Sequence, residues 1–268
     1  MKKTLARSYL FVPGDRPERF DKACAAGAHA VIIDLEDAVP PAGKQAARAA
    51  VAAWVSPSHP VLVRVNGAAS EWFADDLVLC DLPGVAGIVL PKAENPQDIA
   101  QLVAAGAKRV LPLIETAQGV WNAHALATAP GVQRLMFGSI DFQLDAGIDG
   151  DVDELLYVRS QLVLVSRVAG IQPPVDGVTT ALDDPEQLRK DTQRARRLGF
   201  GGKLCIHPKQ VERVNRHFLP SEEDVAWARR VLQVAADAQG AAVALDGKMV
   251  DLPVIRKAEE IVSEVERR

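Results

Sequence analysis

Two acidic residues, Glu115 and Asp141, end apolar runs in the stretch from Leu111 to Asp145: LPLIET, a helical spacer, then MFGSIDFQLDAG. Read as strands, Leu111, Leu113 and Glu115 share one face, and Leu135, Phe137, Ser139 and Asp141 share another. A carboxylate at the last inward position of a buried strand is costly unless a cation or a donor meets it. Two such ends in successive strand–helix units predict one shared cation where the strands finish. Oxygen ligands favour a hard ion. Two carboxylates with room for waters suit Mg²⁺, and Mn²⁺ accepts the same oxygens.

Other strand-like runs offer polar residues at the corresponding ends. AVIIDLED gives Asp34 and Glu36 on one face with Asp37 next, against Val31, Ile33 and Leu35. VLVRVN gives Arg64 and Asn66, and Lys92 and Asp176 end two further runs. A solvated ring of charges is the bland account of any one of these. The same pattern on several strands favours a site. Arg64 is expected to clamp a carboxylate, because a buried guanidinium needs an anion that fits its fork; the structural alternative is a pair with Glu36. Asp34, Glu36 and Asp37 are expected either behind metal-bound waters or paired with Lys92. Lys92 is a weak Schiff-base candidate, since neighbouring carboxylates hold a lysine protonated. His207 reads as a packed histidine, and Cys24, Cys80 and Cys205 as core.

These ends must be positioned by a repeating fold. Eight strand-like runs begin near Tyr9, Ala30, Val61, Gly87, Val110, Leu135, Ile171 and Gly202, with helical segments between them. The alternation predicts parallel βαβ units, and eight of them closing on themselves make an α/β (β/α)₈ (TIM) barrel. A doubly wound sheet with a dinucleotide turn does not fit, because VPGDRPERF follows the first strand in place of GxGxxG. Residues 1–220 are expected to form the barrel. Residues 221–268 are expected to form a C-terminal helical arm that packs on the barrel or on a neighbouring subunit. Ser221 and Asp224 suit a helix start there, LDGKMVD suits a turn or hairpin, and Pro253 suits the first turn of a last helix.

Composition sets outer bounds. The 268 residues are 48% hydrophobic and 25% charged, as in ordinary globular chains, and the net charge of −4 argues against general nucleic-acid binding. Three scattered cysteines without CxxC spacing suit reduced thiols and a cytoplasmic setting. Neither a signal peptide nor a membrane-spanning helix is expected.

The runs RSYLFVPGDRPERFDKA, AVIIDLEDAV with Lys44 and Arg48 following, VRVN, LPKAE, LPLIETAQGV and FGSIDFQLDAG together resemble the citrate lyase β-subunit-like family of the HpcH/HpaI aldolase superfamily. The resemblance covers nearly the whole chain in order. It implies a (β/α)₈ barrel that binds Mg²⁺, handles acyl-CoA thioesters and assembles as a homotrimer. It implies Glu115 and Asp141 as metal ligands and Arg64 at the substrate carboxylate. GKMVDLP matches a C-terminal segment whose aspartate, Asp251 here, reaches the active site of an adjacent subunit in members that make or break malyl-type thioesters.

The function expected from these groups is Claisen-type carbon–carbon cleavage or condensation of a 3-hydroxyacyl-CoA such as malyl-CoA or citramalyl-CoA. Arg64 and Asp251 are the catalytic pair. Arg64 and Glu115 meet the acid end of the substrate, and Arg16, Arg19 and Lys44 are candidates for the CoA phosphates. A thioesterase step after condensation belongs to the same family. Rival functions are the β subunit of a multi-subunit citrate lyase working on an acyl-carrier-protein thioester, a metal-dependent aldolase for a free hydroxy-keto acid, and a non-catalytic CoA-ester binder.

Overall fold

The computed structural model describes residues 5–237 and 243–266. The strands are β1 (Ser8–Pro13), β2 (Ala30–Asp34), β3 (Val61–Arg64), β4 (Val85–Leu90), β5 (Val110–Ile114), β6 (Met136–Phe137), β7 (Val175–Asp176) and β8 (Gly202–Cys205). They are parallel and close into a barrel in sequence order, with β1 pairing to β2 on one side and to β8 on the other. The expected (β/α)₈ barrel is therefore present.

Alternation decides which side chains fill it. Tyr9, Ile32, Leu62, Val89, Leu111, Leu113, Met136, Val175 and Leu204 form the interior cluster. Fully burying aliphatic side chains of this size stabilises the fold by about 1.5–3 kcal/mol each. The outward residues of the same strands, such as Ile33, Val63 and Ile114, are equally buried beneath the helices, so the strands read as continuous apolar runs. Helix starts are marked in the sequence. Asn95 accepts from Gln97 N–H before the helix Pro96–Ala104, and Asp184 accepts from Glu186 and Gln187 N–H before Pro185–Leu198.

The N-terminal end of the barrel is plugged by Arg134, which is fully buried. Its guanidinium donates to the carbonyls of Ala6 (2.8 Å), Pro173 (2.8 Å) and Pro174 (3.2 Å) and to the Tyr9 hydroxyl (2.9 Å). One side chain thus ties together the segments that enter β1, β6 and β7.

The chain divides into two compact units, Leu5–Asn215 and a C-terminal unit that starts at Arg216. In the latter, the helices Glu222–Asp237 and Leu252–Glu266 flank an antiparallel hairpin of β9 (Val243–Leu245) and β10 (Lys248–Val250). Asp246 (φ 52°) and Gly247 (φ 73°) form its turn, as an Asp-Gly pair favours. Ala228, Val231, Val250 and Ala258 make the core of this unit. Ser221 and Asp224 cap the first helix reciprocally, at 3.1 and 3.0 Å. Among the described residues, no helix is long and apolar enough to cross a membrane.

Candidate active site

A cavity of about 410 Å³ opens at the C-terminal ends of the strands, with Asp34, Asp37, Arg64, Glu115, Ser139 and Asp141 in its wall. Its centre is the pair Asp34–Arg64, side by side on β2 and β3. Arg64 Nε and Nη2 donate to the two Asp34 oxygens at 2.7 Å each. Asp34 also accepts from the N–H groups of Glu36 (2.8 Å) and Ala38 (3.1 Å), so one carboxylate holds both the arginine and the loop after β2. Arg64 Nη1 lies 3.0 Å from Glu36, and the guanidinium stacks 5.0 Å over Phe11. Burial pulls the Arg64 pKa down, but hydrogen bonds and charge from Asp34, then Glu36 and Glu115, outweigh it and leave it raised. Asp34 is thus the partner of Arg64, and Glu36 pairs with both Arg64 and Lys92. Burial raises the Glu36 pKa, and Arg64 and Lys92 oppose the rise.

Glu115 follows β5 and is 1% exposed. Its Oε2 accepts from the backbone N–H of Lys92 at 2.8 Å. Lys92 makes that contact with φ 46°, a left-handed conformation that costs a non-glycine residue about 1 kcal/mol and that functional sites retain. Burial drives the Glu115 pKa up to about 8, with Glu36 and Asp141 pushing the same way and Arg64 and the Lys92 N–H opposing. Gly138 closes the other side. A Cβ there would lie 2.4 Å from Glu115 Cγ and 2.6 Å from Oε1.

Asp141 reaches this mouth by a different route from the one its spacing suggests. Strand β6 is two residues long, and Met136, not Phe137, faces the barrel interior. A helix, Ser139–Ala146, begins directly after Gly138 and carries Asp141 in its first turn. The shared face of Leu135, Phe137, Ser139 and Asp141 is therefore corrected; the helix start, not strand alternation, brings the carboxylate to the cavity. Asp176 is also corrected. Val175 points inward, so Asp176 points out of the barrel, where it accepts from Arg159 Nε at 3.0 Å. Lys44 is corrected as a phosphate candidate. It is buried, and its ammonium donates to the carbonyls of Leu35 and Glu36 at 2.7 Å each beneath the Trp72 ring. Arg16 and Arg19 are exposed beside Glu18. Asp251 lies in the C-terminal unit, where its side chain accepts from Val254 N–H at 3.4 Å at the start of the last helix.

The mouth fits a divalent cation. Asp34, Glu36, Asp37, Glu115 and Asp141 face Arg64, Lys92 and Lys44, a formal excess of two negative charges when all are ionised. Glu115, buried and repelled by Asp141, is held largely protonated unless a cation joins it. Among the described residues no group of three or more His, Cys, Asp or Glu side chains is gathered as a metal cage. A hard ion that keeps several waters needs only one or two protein carboxylates.

A parallel barrel with paired carboxylates and a clamped arginine at the C-terminal mouth defines the class of (β/α)₈ enzymes whose chemistry is built on strand ends. The chain belongs to the HpcH/HpaI aldolase/citrate lyase family, whose model matches residues 7–208. It is 40% identical to a citrate lyase subunit beta-like protein of Deinococcus radiodurans across 97% of each chain. It is 34% identical to a (3S)-malyl-CoA thioesterase of Cereibacter sphaeroides, across 97% of this chain and 94% of that one. The solved structure of CitE from Mycobacterium tuberculosis, in complex with magnesium, acetoacetate and coenzyme A, superposes with a TM-score of 0.87 at 35% identity over 98% of both chains.

Proposed function

We propose that the protein is a Mg²⁺-dependent carbon–carbon lyase acting on a 3-hydroxyacyl-CoA such as malyl-CoA or citramalyl-CoA. The observation that carries this reading is the buried Glu115 at one cavity wall with Asp141, beside an Arg64 already fixed by Asp34. The relatives support it. One is a malyl-CoA thioesterase, and a solved structure holds magnesium, a keto acid and coenzyme A together.

In this reading Glu115 and Asp141 hold the metal. When bound, Mg²⁺ supplies Lewis acidity at the hydroxyl oxygen that becomes the keto oxygen. Arg64 orients the carboxylate beside that carbon and offsets negative charge on the oxygen. As the hydroxyl proton passes to solvent, the ketone forms and the carbon–carbon bond breaks toward the thioester fragment. The electron pair rests in the thioester enolate, whose carbon then takes a proton. Asp251, supplied by the adjacent protomer of a homotrimer, gives that proton in cleavage and removes it in condensation. Arg16 and Arg19 meet the CoA phosphates at the rim. The enzyme works in the cytoplasm.

The test is incubation of the purified protein with malyl-CoA and citramalyl-CoA, with Mg²⁺ or with excess EDTA, following glyoxylate, pyruvate and free CoA. Metal-dependent release of a keto acid is expected, and its identity names the substrate. Free CoA without keto acid would assign a thioesterase. No release with Mg²⁺ would overturn the CoA-lyase reading. Trials of a carrier-protein thioester and of a free hydroxy-keto acid would then separate a citrate lyase β subunit from an aldolase. Asp251→Asn should lose most turnover while metal binding survives.

A further inference from the structure

We infer that Arg159 and Asp151 are positioning residues for the Asp141 carboxylate; the inference rests on the proposed role of Asp141 as a metal ligand. The helix Ser139–Ala146 leaves a strand of only two residues, so strand pairing does little to fix its direction. Its far end is tethered instead. Gly147 ends it with φ 66°, and Gln143 Nε2 reaches forward to the carbonyl of Gly150 at 2.7 Å. The next residue, Asp151, is gripped by two arginines. Arg159 donates to its carbonyl (2.6 Å) and to Oδ1 (2.7 Å), and Arg194 donates to Oδ2 (2.7 Å).

Arg159 is built to hold that loop. Its side chain is 2% exposed and its Nε donates to Asp176, which is wholly buried on β7. Its guanidinium also lies 5.5 Å over Phe137, immediately before the Gly138 that abuts Glu115. Arg194 continues the chain to Asp191, which accepts from Thr179 Oγ1 at 2.7 Å in the loop after β7. The Arg159 guanidinium therefore fixes β6 and β7 below the site and the loop that tethers the Asp141 helix. Asp176, displaced from the mouth, serves as the anchor of this clamp. Groups that hydrogen-bond a metal ligand commonly change metal affinity by about 10–100-fold when removed; this clamp acts one step further back, through Gly150 and Gln143, and its effect falls at the low end of that range.

The experiment measures Mn²⁺ binding by the loss of the free-ion EPR signal, with thermal midpoints taken alongside. The proteins are wild type, Asp151→Asn, Arg159→Lys, Asp141→Asn and, as a control at the other barrel end, Arg134→Lys. Asp151 is partly exposed, and Asp151→Asn keeps the backbone carbonyl that Arg159 also grips. The expected result is about tenfold weaker Mn²⁺ binding in Asp151→Asn and Arg159→Lys, near loss in Asp141→Asn, and unchanged affinity in Arg134→Lys despite a lower midpoint. Wild-type affinity in Asp151→Asn beside a loss in Asp141→Asn would overturn the positioning role alone. Equal weakening in Arg134→Lys would reduce it to general destabilisation and overturn it as well. Wild-type affinity in Asp141→Asn would remove the ligand assignment on which it rests.

Discussion

Gly138 and Glu115 meet so closely that the glycine's missing side chain is part of the carboxylate's pocket. A Cβ on Gly138 would sit 2.4 Å from Glu115 Cγ, well inside contact distance. The end of β6 and the acid after β5 are thereby packed against one another without a spacer.

Gly138→Ala should displace Glu115 and lose divalent-ion binding, while the rest of the barrel stays folded. Mn²⁺ titration together with far-ultraviolet circular dichroism checks this. A variant that binds Mn²⁺ as wild type does would show that Glu115 moves without consequence.

The Asp34–Arg64 pair makes opposite demands on its two members. Asp34→Ala leaves a buried guanidinium without its bidentate partner and should cost about 3–5 kcal/mol of stability, measured by urea unfolding. Arg64→Lys keeps a charge but loses the fork, and should lower kcat by about a hundredfold, roughly 3 kcal/mol of transition-state stabilisation. A kcat within threefold of wild type would contradict the clamp.

The raised pKa of Glu115 sets a pH window. Its folded value of about 8 exceeds its ordinary 4.5 because burial penalises the charge. The neutral form therefore favours the fold. That contribution is full below about pH 4.5 and is lost as pH rises through about 8. Metal-free wild type should fall in thermal midpoint relative to Glu115→Gln across this interval, and Mg²⁺ should restore it at the alkaline end. Parallel pH curves for the two proteins would contradict the assignment.

The thiols should be nearly inert. Burial pushes Cys205 up to about 12 and Cys80 up to about 11, and it raises Cys24, which is only partly covered. Thiolate is the reactive form. Iodoacetamide at pH 8 should label at most Cys24, slowly, in the native protein and all three cysteines after unfolding, as counted by intact mass.

The barrel was legible wherever the strands were long. In β2, β3 and β5 four or five residues alternate visibly, so Asp34, Glu36, Arg64 and Glu115 could be assigned to the mouth from their parity alone. Strands β6 and β7 are two residues each, and β7 follows Pro173-Pro174, so parity had nothing to count from. Strand parity put Asp141 at the mouth for the wrong reason, since a helix start stands where the strand position was expected, and Asp176 is misplaced by the same lack of length. Lys44 illustrates another limit. A lysine in the first turn of an alanine-rich helix looks solvated, and only the three-dimensional return of the β2 loop shows its ammonium beneath two carbonyls. The clamp of Arg159 on Asp151 had no local signal, because its anchor, Asp176, and the second arginine, Arg194, come from the next βα unit.

Arg64 also has a consequence for how a ligand is received. Its desolvation is met during folding, by Asp34 on one side and Phe11 on the other. In the proposed reading, an incoming carboxylate encounters a cation that has already shed most of its water and most of its rotamer freedom. Little ordering remains to be done at the moment of binding, so the free energy of that contact is available for discrimination among acids of different shape.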